Sequence, residues 1–406
     1  MENIDHQKAY LPSIYRYGLL FSFVSTLSPW FLWPIKGFGV LLVLFTTLYA
    51  FVKTPVLFIL TKEKLCVIGL LFAFYCTLGL TANFNGYVSN FINFLSVAGL
   101  VCLNRENKIE LLTFVSKGFA GIVLVSFLCF VMTFASGLSL PYESVTYKDV
   151  YQIRNFYFFL TSEWDSPFLF PRFQAVFAEP GHLGMIAALL LFVQSYNLSK
   201  WYNLILFLGA LFSFSLASYV LMALGALLLI FIRYKHSIVY VVSIVLLCGA
   251  IVTVINRVVG EYNLFNQLIV ERLTIEDGQI AGNNRFSSDF EDEYERKKET
   301  SAVWFGWQPD FSQYDGGNAG YKRYISEYGL VGLFVCIITY LSFCRGYSRK
   351  YAYSLFLLYA ASFLQRAYPF WASELIIFIC GLPLLCSSDS ASSISSTSVI
   401  TCKCVV

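Results

Sequence analysis

Apolar residues gather along this chain into stretches far longer than the alternating strands of about ten residues that build an outer-membrane barrel. The stretches fall at about 17–35, 37–60, 65–82, 87–103, 110–136, 178–196, 201–215, 217–232, 237–256, 322–344, 351–366 and 368–386. A helix needs about 20 apolar residues to cross a bilayer, so the pattern predicts an all-α polytopic membrane protein of about 12 transmembrane helices. Two places break the regularity. Lys53 and Pro55 interrupt the second stretch, which predicts a broken or re-entrant helix there. The seventh and eighth stretches are short and meet around Ser213, Ser215 and Ser218, a polar break that needs protein or a water-filled cavity around it.

Composition agrees with lipid as the solvent. Of 406 residues, 57% are hydrophobic and only 13% charged, where a soluble domain carries roughly 25% charged residues. Forty Phe and 27 Tyr exceed what a water-soluble core of this size can hide, and the mean hydropathy is +0.65. These values exclude a soluble enzyme, a disordered protein and a secreted disulfide scaffold. Most of the cysteines, Cys66, Cys76, Cys102, Cys129, Cys248, Cys336 and Cys380 among them, lie inside apolar stretches and act there as small hydrophobes. The C-x-C of Cys402 and Cys404 lacks the second pair a zinc site requires. Met1 to Tyr15 is polar and has no small-residue cleavage site, so no cleavable leader is expected.

Twelve spans put both termini on one side, and the short basic loops decide which. Lys62 and Lys64, Arg105 and Lys108, Lys200, Arg233 and Lys235, and Arg345, Arg349 and Lys350 all fall on the side shared with Lys8 and Arg16. That side is expected to be cytoplasmic. Two connections, about 137–177 and 257–321, are too long for turns, and both emerge on the outer face. The second holds six cations against twelve acids, a net charge of −6. Within it Asp289 to Glu299 reads as an exposed amphipathic helix. One transmembrane domain is thus expected over 1–386, followed by a Ser-rich, irregular cytoplasmic tail over 387–406.

The chemistry is sparse and sits at helix ends. No Walker A, no G-x-G-x-x-G before a strand and no H-E-x-x-H occurs, and three His cannot build a His-rich metal centre. A transporter usually carries charge within its spans, whereas only Lys53, Lys117 and Glu374 interrupt the middles here. The most specific string runs Arg172-Phe-Gln-Ala-Val-Phe-Ala-Glu179-Pro180-Gly181-His182-Leu-Gly184 into the sixth stretch. Pro180 suits a first helical turn. Glu179 before it can accept free N–H groups and complement the helix dipole. His182 follows on a similar face, and Arg172 precedes. Further on come Asn284-Arg285-Phe286, Phe305-Gly306-Trp307, and Glu327-Tyr328-Gly329-Leu330-Val331-Gly332, whose glycines favour close helix packing. Arg366 lies at the outer boundary between the last two spans, where the loop charges otherwise leave no cation. Arginine is permanently charged and reads phosphate bidentately. Arg172, Arg285 and Arg366 near the lipid headgroups therefore point to a lipid-linked pyrophosphate.

Taken together, R-x₆-E-P-x-x-x-G at 172–184, the Ser-rich break at 213–218, N-R-F at 284–286, F-G-W at 305–307 and E-x-G-L-x-G at 327–332 resemble the O-antigen and exopolysaccharide polymerases, which are related in fold to the O-antigen ligases. The resemblance implies a glycosyltransferase of the bacterial inner membrane that uses neither metal nor cofactor. It implies undecaprenyl-pyrophosphate-linked oligosaccharides as substrates, the lipid bilayer as surroundings and a separate chain-length regulator as a partner, with no role for nucleic acid. Arg172, Arg285 and Arg366 would hold the pyrophosphate, and Glu179 or His182 would be the catalytic base. The ligases carry a His shortly before the Gly-rich helix, where this chain has Gly316-Gly317-Asn318; that departure favours polymerase. A lipid-linked oligosaccharide flippase and a structural subunit are the alternatives of other classes.

Overall fold

The computed structural model describes residues 10–79, 84–137, 140–147, 151–163, 171–234, 287–314 and 320–397, with short pieces at 239, 257, 275–276 and 279–280. The ninth stretch, 237–256, lies almost wholly outside the described residues, as do Arg285 and Gly316 to Asn318. The protein is mostly helical. Its helices are α1 (Ser13–Ser25), α2 (Lys36–Lys53), α3 (Lys62–Gly79), α4 (Phe84–Cys102), α5 (Arg105–Ala135), α6 (Pro180–Val193), α7 (Trp201–Phe212), α8 (Leu216–Arg233), α9 (Ser288–Lys298), α10 (Tyr321–Phe343), α11 (Arg349–Gln365) and α12 (Ala372–Thr397).

Three of them, α5, α8 and α10, are long and apolar enough to cross a membrane, and several others are apolar but shorter. Their outward faces carry large exposed apolar side chains such as Phe45, Phe72, Phe91, Met132, Val220 and Phe334. A water-soluble monomer does not display so many; these are the helices of a membrane-embedded protein. The core is built around α6, every residue of which is buried, with α7, α8, α11 and α12 among the helices that enclose it. Close approach is obtained with small residues, as packing in lipid requires. A side chain on Gly184 would strike Ser218 Cβ at 2.7 Å and Ser213 Oγ at 2.9 Å.

Several expectations are corrected, and one about a helix break is met. The first stretch does not stay helical: α1 stops at Ser25, Ser28 has φ +52, and Pro29 leads into a 3₁₀ turn over Trp30–Ile35. The second breaks where its proline predicts, with α2 ending at Lys53 and a short 3₁₀ turn at Pro55–Leu57. The protein is not purely α-helical. The first long loop contains an antiparallel sheet of β1 (Glu143–Tyr147), β2 (Tyr151–Asn155) and β3 (Leu160–Ser162), with Val145 opposite Ile153 and Ile153 opposite Ser162. Its Tyr147, Ile153 and Leu160 pack with Ala178 and with Trp30 and Trp33 of the 3₁₀ turn. A second, two-residue ladder pairs β4 (Ile275–Glu276) with β5 (Gln279–Ile280). Finally, α12 continues through the Ser-rich segment to Thr397 rather than becoming irregular at 387. Serine costs a helix only a few tenths of a kcal/mol per residue, so an apolar helix already nucleated extends through it.

In the second long loop, α9 forms where the amphipathic pattern of Asp289 to Glu299 predicts a helix. Ser287 caps it by accepting from the Phe290 amide, acids occupy its first turn and Arg296, Lys297 and Lys298 its last. Phe290 and Tyr294 turn inward against Ile325, Trp307 and Phe311, and burial pushes the Tyr294 hydroxyl up to about 12. Next to this nest, α10 is broken at Gly329 (φ +69, ψ −178). The Ser326 carbonyl near the break accepts from the Trp307 and Gln308 amides at 2.9 and 3.0 Å. Two motifs of the sequence are therefore one unit: a Cβ on Gly329 would lie 2.2 Å from the Trp304 carbonyl oxygen, and one on Gly306 2.7 Å from that of Glu327. Gly137 provides a matched reference, with φ +67 and open space to 4 Å around the position a Cβ would take. Gly137→Ala should cost about 1 kcal/mol, and Gly329→Ala at least twice that, about 2–3 kcal/mol, because overlap adds to strain in a region open essentially to glycine. Thermal unfolding of both variants in detergent measures the difference; equal shifts would show that the interlock contributes nothing.

Candidate functional site

The site forms where the start of α6 meets the end of α11. The segment before α6 is buried from Phe173 to Ala178 and is fixed by its backbone. Phe173 N–H donates to the Phe212 carbonyl at the end of α7, the Leu160 N–H of β3 donates to Ala175, and the Trp30 N–H donates to Val176. Ala175, at φ +51, reverses the chain. These bonds deliver Glu179, in extended conformation, as the residue preceding α6. The opposite wall is the turn after α11. Pro369 ends any continuation of that helix, and Arg366 takes the extended C-cap position with its N–H on the Ser362 carbonyl. Tyr340 Oη donates to Pro369 O at 2.8 Å, Phe370 stacks on Phe74 at 4.2 Å, and Thr26 Oγ1 donates to Ser373 Oγ at 2.9 Å. Side chains of α3 and α10 thus hold the turn, and the C-cap of α1 holds the start of α12 that follows it.

Across this junction Arg366 Nη1 meets Glu179 Oε2 at 2.6 Å, with side chains only 6% and 16% exposed. Glu179 does not make the expected side-chain cap; its carboxylate turns to the arginine instead, while its carbonyl accepts from the His182 N–H at 3.2 Å. The electrostatics remain favourable, since the anion lies at the N-terminal end of α6 and the cation at the C-terminal end of α11. His182 Nε2 lies 3.6 Å from Glu179 Oε1, too long for a direct hydrogen bond. Its ring meets Trp371 and Tyr368 edge to face, at 4.8 and 5.5 Å, and those two rings stack on each other at 4.1 Å. Gly181 leaves room for the guanidinium: a Cβ there would lie 2.5 Å from Arg366 Nη2.

The structure thus brings Glu179, His182 and Arg366 together. Arg172 Nε donates to the Ser213 carbonyl, just past the end of α7, at 3.2 Å. Because Ser213 also abuts Gly184, the arginine, the serine break and α6 share one junction. Arg285 lies outside the described residues. By sequence alone Tyr368 and Trp371 read as part of an aromatic belt, yet they wall His182; their three-residue spacing beside Arg366 is the available signal. Two further buried polar groups lie nearby: Gln174 has no signal beyond its residue type, whereas Glu374 stood out in the sequence as a charge within an apolar stretch. Gln174 is 1% exposed with Nε2 lacking a hydrogen bond, and Glu374, one helical turn past Trp371, is 2% exposed with Oε1 lacking one. Among the described residues no group of three or more His, Cys, Asp and Glu side chains is arranged to hold a metal ion.

Chemically, the junction offers a carboxylate, an imidazole and fixed guanidinium groups at one end of an apolar bundle, a set suited to moving a proton beside an anion. The fold and site define a membrane-embedded helical protein with a buried charged cluster at a helix junction. Compared with known protein families, curated proteins and solved structures, the chain matches none of them.

Because the pair is buried, removing one member strands the other. Arg366→Met is expected to cost about 3–5 kcal/mol, and the double variant Glu179→Gln/Arg366→Met much less than the sum of the two single changes. Unfolding of the four proteins in detergent checks this, and strictly additive losses would contradict a coupled pair.

Proposed function

We propose that this protein is a surface-polysaccharide polymerase of the bacterial inner membrane, with about 12 spans and both termini cytoplasmic. It transfers glycan from undecaprenyl pyrophosphate onto a lipid-linked repeat unit at the periplasmic face. The observation that carries the reading is the convergence of Glu179, His182 and Arg366 at one end of an apolar bundle, with Arg172 on the adjoining junction. The orientation is supported by cations at the opposite end. Arg233 Nη2 donates to Ser195 Oγ just past the far end of α6, and Arg105 Nη2 reaches the Pro383 carbonyl far along α12.

In the proposed reaction an acceptor hydroxyl attacks the anomeric carbon of the donor sugar. The new glycosidic bond forms as the bond to pyrophosphate breaks, and the lipid pyrophosphate departs with the electron pair. Arg172, Arg285 and Arg366 stabilise the charge that develops on it. Glu179 or His182 takes the hydroxyl proton. A phosphate oxygen and the Glu179 carboxylate are alternative partners for the Arg366 guanidinium, so binding the leaving group would release the carboxylate to act as base.

The test is a gel ladder of surface polysaccharide from a deletion strain complemented with wild type or Arg172→Ala. A polymerase gives a ladder with wild type and, with the variant at equal protein level, a single repeat unit on the lipid core. Loss of every repeat, with lipid-linked polymer accumulating outside, indicates a ligase. Units trapped in the cytoplasmic leaflet indicate a flippase, and an unchanged ladder refutes the assignment of Arg172.

A further inference from the structure

The string Phe305-Gly306-Trp307 divides its two aromatics between opposite environments. Trp307 turns inward, with its ring 5.8 Å from that of Tyr294 in the nest beneath α9. Phe305 and the preceding Trp304 turn outward and are 64% and 55% exposed. Their position is fixed by backbone, because the Trp304 carbonyl and the Phe305 nitrogen press on Gly329 at the break of α10. The outward pair therefore rides on a helix that is long and apolar enough to cross a membrane. Beyond the break that helix exposes Val331, Phe334 and Ile337 at three-residue spacing, at 39%, 63% and 39%, a stripe on one helical face. Exposed Arg296, Lys297 and Lys298 end α9 just before the aromatic pair.

We propose that Trp304 and Phe305 are a lipid anchor, seated at the boundary between headgroups and acyl chains of the leaflet next to the break in α10. Three features favour lipid as the occupant. The pair sits at the break in α10, two residues before the point where its exposed apolar stripe begins. Trp prefers this boundary because its ring is apolar and its N–H is not. Exposed Arg296 and Lys297 in the last turn of α9 can meet lipid phosphates, while Lys298 is held by Glu295. The inner aromatics, in contrast, hold α9 on α10, so anchoring the turn also holds the acidic helix down against the bilayer.

The experiment places the photoreactive analogue benzoylphenylalanine at position 305, or at the exposed Asp292 of α9 as reference, in the full chain reconstituted into phosphatidylethanolamine–phosphatidylglycerol nanodiscs. After irradiation, mass spectrometry should find a phospholipid adduct at 305 with a yield about tenfold above that at 292, as expected for a boundary residue against a solvated one. Equal yields, no adduct at 305, or a cross-link to a second copy would overturn the proposal. Independently, the fluorescence difference between wild type and Trp304→Phe should be quenched by lipids brominated near the headgroup. Quenching only by a water-soluble agent would also overturn it.

Discussion

The contact between Glu179 and Arg366 joins two helix ends that the chain visits far apart in sequence, and this end of the bundle is arranged around it. The negative end of α11 and the positive end of α6 meet there, each carrying the side chain its dipole favours. Bringing two charges out of water has a cost that attraction alone seldom recovers, so the surroundings must hold the geometry. They do so through backbone bonds on one side, from the sheet, the 3₁₀ turn and α7. On the other side, side chains of α3 and α10 grip the turn after α11, and the C-cap of α1 holds the start of α12. Neither partner is placed by its own helix alone.

The second organising device is backbone in contact with backbone. Gly306 and Gly329 let a loop strand and a helix break approach more closely than any side chain permits, and the Ser326 carbonyl takes two amide donors there. Association in lipid gains little from apolar burial between helices, so contact distance and satisfied backbone groups decide stability. The same logic explains why α6 is lined at Gly181 and Gly184 by polar groups of other helices rather than by bulky apolar ones.

Much of the helical architecture was legible because a backbone surrounded by lipid must satisfy its own hydrogen bonds, which makes long apolar stretches helices. Proline located the break at Pro55, and the amphipathic pattern of Asp289 to Glu299 foretold α9. The sheet over 143–162 was not legible. Its strands are three to five residues long, and only their inner side chains meet the apolar cluster. For the site, Glu179 and His182 were legible from local spacing, and Arg366 stood out as a cation on the side where the short loops have none. Their pairing was not, since no local pattern relates residues on α6 to the end of α11. Nor could spacing show that Glu179 forgoes its capping bond, because that choice depends on a competitor from elsewhere in the fold.

The shortness of α6 sets a depth. Fourteen residues rise about 21 Å, against about 30 Å of hydrocarbon, so an upright helix of this length cannot reach both surfaces. At its far end Arg233 contacts Ser195 and is itself exposed, and a guanidinium seeks headgroup level. With that end at headgroup level and the helix upright, the shortfall would accrue at the other end and leave the carboxylate and guanidinium recessed about 9 Å beneath the surface. A reactant tethered to a lipid tail could reach such a recess by sideways diffusion within its leaflet. A free sugar in the aqueous phase would have to descend to it.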